Sequence, residues 1–338
     1  MTRPMQMLMS SDFDEHPNSH DAATIDSYRA LKSGAGLHLQ AGRLIIRVRG
    51  DDRVSFMHGM CTADVKGLAS GSLAPALFLT ERAHLIGECF IYALEEPELW
   101  LEVEASHWSE IRNHLEKLLV ADDVEFEEVE SLAVLDVEGA KAEEVVREAF
   151  DVSGLASWHH VERPQVRIAN LPRYLGPAFS IIADKSSVPQ ICERIRRICP
   201  EVADIGTEVL DVLRVENGLA RIGKDTTART LAVEARFERA ISFDKGCYLG
   251  QETVERATAR GALKHRLCGI RVSHGLPPSG APVMLEGKEV GSLTSVVRSP
   301  SLGVIGLAVL HHSAWAPGTR VMIGDKVCSV CELPFGRT

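Results

Sequence analysis

No stretch of the chain is apolar for long enough to span a bilayer, and the N-terminus lacks a charged segment followed by an apolar core. Neither a membrane-spanning helix nor a secretory leader is expected, so the chain reads as soluble and cytoplasmic. Positive charge is not in excess either. The net charge of −10 argues against a nucleic-acid partner held by a global basic field. A second CxxC is missing: only Cys328-Ser-Val-Cys331 has that spacing. Because Val327 to Leu333 reads as a strand, its cysteines three apart point to opposite faces, and no metal site is expected. The eight cysteines are too scattered for a compact disulfide framework, which favours free thiols in a reducing compartment. Internal repeats and low-complexity tracts are absent.

A chain of 338 residues has room for two or three domains. The lead, 1–24, is rich in Met, Ser, Asp, Asn and His without periodicity and reads as disordered. Tyr28 to Leu39 reads as a helix that loops through Gly34 and Gly36. Leu44 to Val48 is a strand, and Asp51 is placed to cap the next helix, with Val54, Met57 and Cys61 on one face. Strands are expected over Ala76–Thr80, Leu85–Ala93 and Leu99–Val103, then a helix carrying Trp108, Ile111, Leu115 and Leu118.

A second α+β unit opens with a strand over Leu132–Val137, a turn at Gly139 and a helix through Val145, Val146 and Phe150. Strands follow at Gln165–Ile168 and Phe179–Ile182. Ser187 and Gln190 then suggest a capping box on a helix striped by Ile191, Ile195 and Ile198. The order strand, helix, strand, strand, helix points to a ferredoxin-like split βαβ arrangement. From about His265 short apolar runs alternate with Gly, Pro and Ser, which indicates a separate all-β barrel or sandwich. The expected domains are the lead, a 25–260 region of two lobes (about 25–128 and 129–205) completed by 206–260, and a barrel over 261–338.

The most informative stretch is Phe243-Asp244-Lys245-Gly246-Cys247-Tyr248-Leu249-Gly250-Gln251-Glu252. It places a thiol two residues after a lysine and runs straight into what reads as a short polar helix through Thr253 and Ala259. A helix dipole and a nearby ammonium both favour a thiolate, so Cys247 is a candidate reactive residue and Lys245 its activator. The competing reading makes Cys247 a small buried hydrophobe in a turn.

Glu216 is the second candidate. In a helix over Glu208–Glu216, Val209, Leu213 and Glu216 lie within about 60° of one another, so the carboxylate falls on the buried stripe. Such a carboxylate needs hydrogen-bond donors; a salt bridge to Arg214 or Arg221 would serve equally. Asp64, after Thr62-Ala63, reads as a turn or capping residue. Arg256 and Lys264 are cations that can meet an acidic ligand or stay solvated. Tyr248 and Phe243 offer aromatic faces or fill the core, and the pairs His159-His160 and His311-His312 read as surface histidines in or beside loops.

The run KGCYLGQE, with Arg256, Gly261, Lys264 and Arg266 after it, resembles the signature of the YgfZ-type folate-binding proteins, relatives of the glycine-cleavage T-protein (aminomethyltransferase). The likeness extends from Tyr28 to Phe335, through Leu213-Arg214-Val215-Glu216-Asn217-Gly218 and Leu333-Pro334-Phe335. The resemblance implies an α+β, T-protein-like fold with ferredoxin-like units around a central folate cavity and a C-terminal β-barrel. It implies tetrahydrofolate or another reduced folate as cofactor, and a role in assembling or repairing iron-sulfur clusters, with iron-sulfur proteins or assembly factors as partners of a monomer. It gives Cys247 and Lys245 the chemistry, Glu216 the pterin, and Asp64, Arg256 and Tyr248 the rest of the folate site. Aminomethyl transfer to folate is the alternative, and a folate-stabilised scaffold without thiol chemistry a second; whether the protein is an enzyme stays open. Three departures from the family pattern stand out. Ala83 replaces a glycine, so Thr80 to Ala83 is expected to turn differently, Arg236-Phe237 replaces Asn-Leu, and Ala232 replaces a proline.

Overall fold

A computed structural model describes residues 22–174, 176–259 and 263–336. Most of the lead, together with Gly261 and the 260/261 boundary, lies outside the described residues. Helix α1 (Ala22–Ser33) begins ahead of Ile25, and Gly36–Leu39 is not helix but strand β1. This strand slots between β7 (Leu132–Glu138) and β11 (Ala203–Asp204), antiparallel to the first and parallel to the second.

The first lobe contains β2 (Arg43–Arg49), α2 (Arg53–Met60), β3 (Leu73–Leu79), β4 (Leu85–Ala93), β5 (Leu99–Glu104), α3 (Ala105–Leu118) and β6 (Glu125–Glu128). Its sheet order is β3-β4-β5-β2-β6. Without the edge strand β3, this is the βαββαβ order of a ferredoxin-like unit. The α3 stripe of Trp108, Ile111 and Leu115 is buried against the sheet, as its spacing predicts. Strand β6 escapes a periodicity reading because three of its four residues are glutamates. Charge explains its pairing: Arg47 and Arg49 of β2 reach Glu127 across the ladder at 3.1 and 3.3 Å.

The second lobe repeats the plan with β7, α4 (Ala142–Phe150), β8 (His159–Arg163), β9 (Val166–Asn170), β10 (Ala178–Asp184), α5 (Val188–Ile198) and β11. Its sheet runs β11-β1-β7-β10-β9-β8. The two sheets face one another through Ile45, Phe90 and Tyr92 on one side and Val134, Ala169 and Ile182 on the other. Buried charge sits in this interface. Arg173 donates to Asp136 (3.0 Å), Glu102 (2.8 Å) and Ser180 (3.1 Å), while Tyr92 donates to the second Glu102 oxygen.

Several local expectations need correction. Asp51 does not cap α2; the N-cap is Asp52, whose carboxylate instead accepts the Asp123 N–H. Ser187 is the N-cap of α5 but its hydroxyl makes no cap bond, so the capping box with Gln190 is not formed. His159 opens β8 beside a loop and is exposed, as expected, but His160, the next residue in the strand, is buried. The Thr80 to Ala83 turn keeps a left-handed residue despite lacking glycine: Ala83 adopts φ +60°, a conformation that costs an L-residue about 1–2 kcal/mol.

The barrel closes as β12-β15-β14-β13-β16-β17. Its strands are β12 (His265–Val272), β13 (Pro282–Leu285), β14 (Lys288–Ser299), β15 (Gly303–His311), β16 (Arg320–Ile323) and β17 (Lys326–Cys331). Glu286 and Gly287, at φ +50° and +79°, form the mirror-type turn that matches the twist between β13 and β14. Cys328 is buried and Cys331 only half-buried, in keeping with opposite faces of β17. Helix α6 (Thr207–Glu216) packs against α1 and the barrel, and α7 (Gln251–Ala259) follows the cysteine loop.

Candidate functional site around the Cys247 loop

All eight cysteines lie in the described residues, and Cys247 is the one that is exposed. The others are buried or half-buried, and burial pushes the Cys61 and Cys268 thiols up to about 11. Cys247 does not sit on the helix N-terminus. The first residue of α7 is Gln251, so the thiol lies in the preceding turn, beyond the first-turn range of a helix dipole.

Lys245 is also placed differently from the sequence expectation. Its ammonium is buried and donates to the carbonyls of His58, Cys61 (2.9 Å) and Ala63 (2.7 Å), where α2 ends. A helix C-terminus presents unpaired carbonyls and partial negative charge, and a lysine satisfies both. Two backbone bonds complete the attachment: Leu249 N–H to Gly59 O at 3.0 Å and Ser242 N–H to Thr62 O at 2.9 Å. Burial lowers the Lys245 pKa, and the thiol nearby is that of Cys61. The lysine therefore holds the loop against α2 rather than pointing its charge at Cys247.

Tyr248 packs in a buried cluster with Leu77, Leu79, Phe237 and Val254, its ring 5.1 Å from the Lys245 nitrogen. Gly250 adopts φ +86° and backs onto the Ala83 turn: a side chain there would stand 2.8 Å from the Thr80 carbonyl oxygen. Glycine at this place in the run is thus demanded by a close approach. Arg256 is exposed on α7 and paired with Glu252 one turn earlier; it meets none of the other candidates.

Asp64 is exposed. Its Oδ1 accepts the Gly67 N–H (3.1 Å) and lies 3.3 Å from His58 Nδ1. His58, missed by the sequence reading, is buried on the last turn of α2. Burial lowers its pKa, and Lys245 adds to that while Asp64 opposes it. A polar residue falling on a buried helical stripe was the only sequence signal for it.

Glu216 is buried elsewhere, at the junction of α1, α6 and the barrel. Its Oε1 accepts from Tyr28 (2.8 Å), Ser299 (2.5 Å) and Ser301 (3.3 Å), while Oε2 faces Lys32 at 3.5 Å. Neither Arg214 nor Arg221 is its partner. Arg214 goes to Asp225 at 2.6 Å and Asp211 at 2.8 Å, and Arg221 faces Asp211. Oε2 keeps lone pairs for a further N–H donor. The structure therefore brings Lys245, Tyr248, His58 and Asp64 together around the Cys247 loop, and sets Glu216 and Arg256 apart. Arg236, at φ +62°, bonds Glu332 (2.8 Å) and the Leu333 carbonyl (3.2 Å), tying the segment before the loop to the end of the barrel. A separate cleft of about 510 Å³ between the 224–234 segment and β14 holds none of the predicted residues.

Comparison with known proteins gives matches along most of the chain. The GCVT N-terminal domain family matches residues 1–245, and the glycine cleavage T-protein C-terminal barrel domain family matches 265–335. An aminomethyltransferase of Thermoanaerobacter sp. (strain X514) is 24% identical over 311 residues, covering 88% of this chain and 84% of the relative. One from Listeria monocytogenes serotype 4a is 27% identical over 310 residues, with the same coverage of 88% and 84%. A chloroplastic protein of Arabidopsis thaliana is 25% identical over 301 residues, covering 86% of this chain and 68% of the relative. Among solved structures, the glycine cleavage system aminomethyltransferase T of Bartonella henselae superposes with a TM-score of 0.84 at 22% identity, over 92% of this chain and 89% of that one, a likeness of fold. No helix among the described residues is long and apolar enough to cross a membrane.

Proposed function

The chain belongs to the glycine-cleavage T-protein family, and from that premise we propose that it binds a reduced folate, tetrahydrofolate first, and supports iron-sulfur cluster assembly or repair through the Cys247 thiol. One observation carries the proposal: the single exposed thiol of the chain stands on a loop that a buried lysine fastens in place. Aminomethyl transfer in itself calls for no thiol, so such a device points to sulfur chemistry. A cluster or its sulfide would be cargo here, and the clients are iron-sulfur proteins or their assembly factors.

Glu216 is the residue we assign to the pterin. Its Oε1 is committed to hydroxyls of α1 and the barrel, which fixes the carboxylate, and Oε2 is left to accept from the ligand. Replacing it by glutamine keeps an acceptor for the hydroxyls and removes the charge. Glu216→Gln should weaken tetrahydrofolate binding roughly ten- to a hundredfold, the worth of about 1.5–3 kcal/mol for a charge-assisted bond. Calorimetric titration reads this directly, and unchanged affinity would remove Glu216 from the folate site.

A second reading rests on the aminomethyltransferases among the relatives: transfer of a one-carbon unit to the folate. Two variants separate the readings. Under the cluster reading, Cys247→Ser fails to restore iron-sulfur enzyme activity in cells lacking the protein, because an alcohol is neither a thiolate nor a soft ligand. Under the transfer reading that exchange is silent, and purified protein releases one-carbon units from aminomethyl donors to tetrahydrofolate. Turnover that tolerates Cys247→Ser would sink the cluster proposal.

A further inference from the structure

The two oxygens of Glu216 are used unequally. Oε1 accepts the hydroxyls of Tyr28, Ser299 and Ser301, whereas Oε2 faces the Lys32 ammonium at 3.5 Å. Lys32 comes from α1, one turn after Tyr28, and its nitrogen lies 4.9 Å from the centre of the Tyr28 ring. The lysine side chain is 55% exposed and the glutamate side chain 7%, so the pair opens to solvent on the lysine side. Burial pulls the Lys32 pKa down, but Glu216 and Tyr28 outweigh it and leave it raised, so the side chain is an ammonium at neutral pH. An ammonium has three donors and a carboxylate oxygen two lone pairs. One donor goes to Oε2, and the Tyr28 ring faces another. A lone pair of Oε2 and an N–H of Lys32 are then left side by side. An acceptor beside a donor is the complement of a ring amide, which carries N–H next to C=O.

We propose that Lys32 is a specificity-determining residue of the Glu216 site: it donates to the carbonyl beside the N–H that Oε2 accepts, and so selects the 2-amino-4-oxo form of a pterin over the 2,4-diamino form. In the oxo form the ring N–H meets the carboxylate and the neighbouring oxygen meets the ammonium. The neutral diamino form has no hydrogen on that ring nitrogen and carries an amino group in place of the oxygen. A lone pair would then face the carboxylate and a donor would face the ammonium. Both protein groups would lose their bonds, which is where a polar site discriminates most strongly between close analogues. A lysine at the exposed end of the pair can be exchanged at little cost to the fold. This deepens the folate reading and rests on Glu216 being the residue that meets the pterin.

The test is calorimetric titration of the full chain with tetrahydrofolate and with its 4-amino-4-deoxy analogue, at mildly alkaline pH so that the diamino ring stays neutral. The wild type should prefer tetrahydrofolate at least roughly tenfold, the worth of one bond from a charged group. Lys32→Met should weaken tetrahydrofolate binding by about the same factor and leave the analogue's affinity unchanged or higher, so that the preference falls roughly tenfold. Lys32→Arg keeps a charged donor and should keep most of the preference, which a merely structural role for the lysine would not require. Tetrahydrofolate affinity and preference that are both unchanged in Lys32→Met overturn the assignment of Lys32. Tighter binding of both ligands in that variant overturns it as well, because the lysine is then a plug over the carboxylate. In either case a loss of tetrahydrofolate affinity in Glu216→Gln leaves the pterin reading standing. A wild type that binds neither ligand overturns both.

Discussion

Replacing Lys245 by methionine separates a fastening lysine from an activating one. The exchange keeps the side-chain stem and removes the ammonium from three carbonyls that end α2. Each bond from a charged donor is worth about 1.5–3 kcal/mol, and leaving a buried ammonium's desolvation behind returns part of the sum. A net loss of about 2–4 kcal/mol is expected, and it should be local, since two backbone bonds (Leu249 to Gly59 and Ser242 to Thr62) depend on the same attachment. At 1.4 kcal/mol per decade, amide exchange at Leu249 and Ser242 should speed up about 30- to 700-fold in Lys245→Met. Amides in the barrel strands should keep their wild-type rates. Native-state hydrogen exchange with site-resolved detection measures both. Wild-type protection at Leu249 in the variant, with Cys247 alkylation slowed at neutral pH, would refute the fastening role and restore the lysine as the activator of the thiol.

Two further perturbations test the frame that carries the site. His160 accepts from Arg167 at Nδ1 (3.0 Å) and so donates from Nε2 to the Ala93 carbonyl (3.0 Å), which requires the neutral ring; burial first, and Arg167 next, push its pKa down to about 4. A base depressed on folding contributes stability above its unfolded value near 6.5 and loses it as pH falls toward 4, by about 2–3 kcal/mol, so urea titrations should show His160→Gln flatter than wild type across that window. Arg173→Met leaves Asp136 without its buried countercharge between the two sheets, and Glu102 with Arg43 at 3.8 Å, and should cost about 3–5 kcal/mol in urea unfolding; a loss under 1 kcal/mol would mean that the interface charges are not coupled as the distances imply.

Local pattern was enough wherever an element's own residues carried its burial. The α3, α4 and α5 stripes stand close to where spacing puts them, and the barrel begins at His265, where short apolar runs start to alternate with Gly, Pro and Ser. The strands that escaped, β1, β6, β8 and β11, are short or polar. Their place is decided by a partner strand, as when Glu127 of β6 answers Arg47 and Arg49 of β2, and no window along the chain contains that information. The capping box at Ser187 failed for a related reason: a motif offers a bond, and the neighbouring turn, here capped by Asp184, decides whether it forms.

The site divides in the same way. From the sequence alone came the loop with its cysteine, the buried face of Glu216, and the need for something to satisfy that carboxylate. Tertiary structure decided what those groups meet. The Lys245 ammonium reaches a carbonyl 187 positions away, at His58, and Glu216 is held by Tyr28 and Ser299, 188 and 83 positions away. Such partners are chosen by the packing of whole elements, α2 against the cysteine loop and α6 between α1 and the barrel. A side chain's charge is written in its identity, but the direction in which it is spent depends on which unpaired donors and acceptors the fold brings within about 3 Å of it.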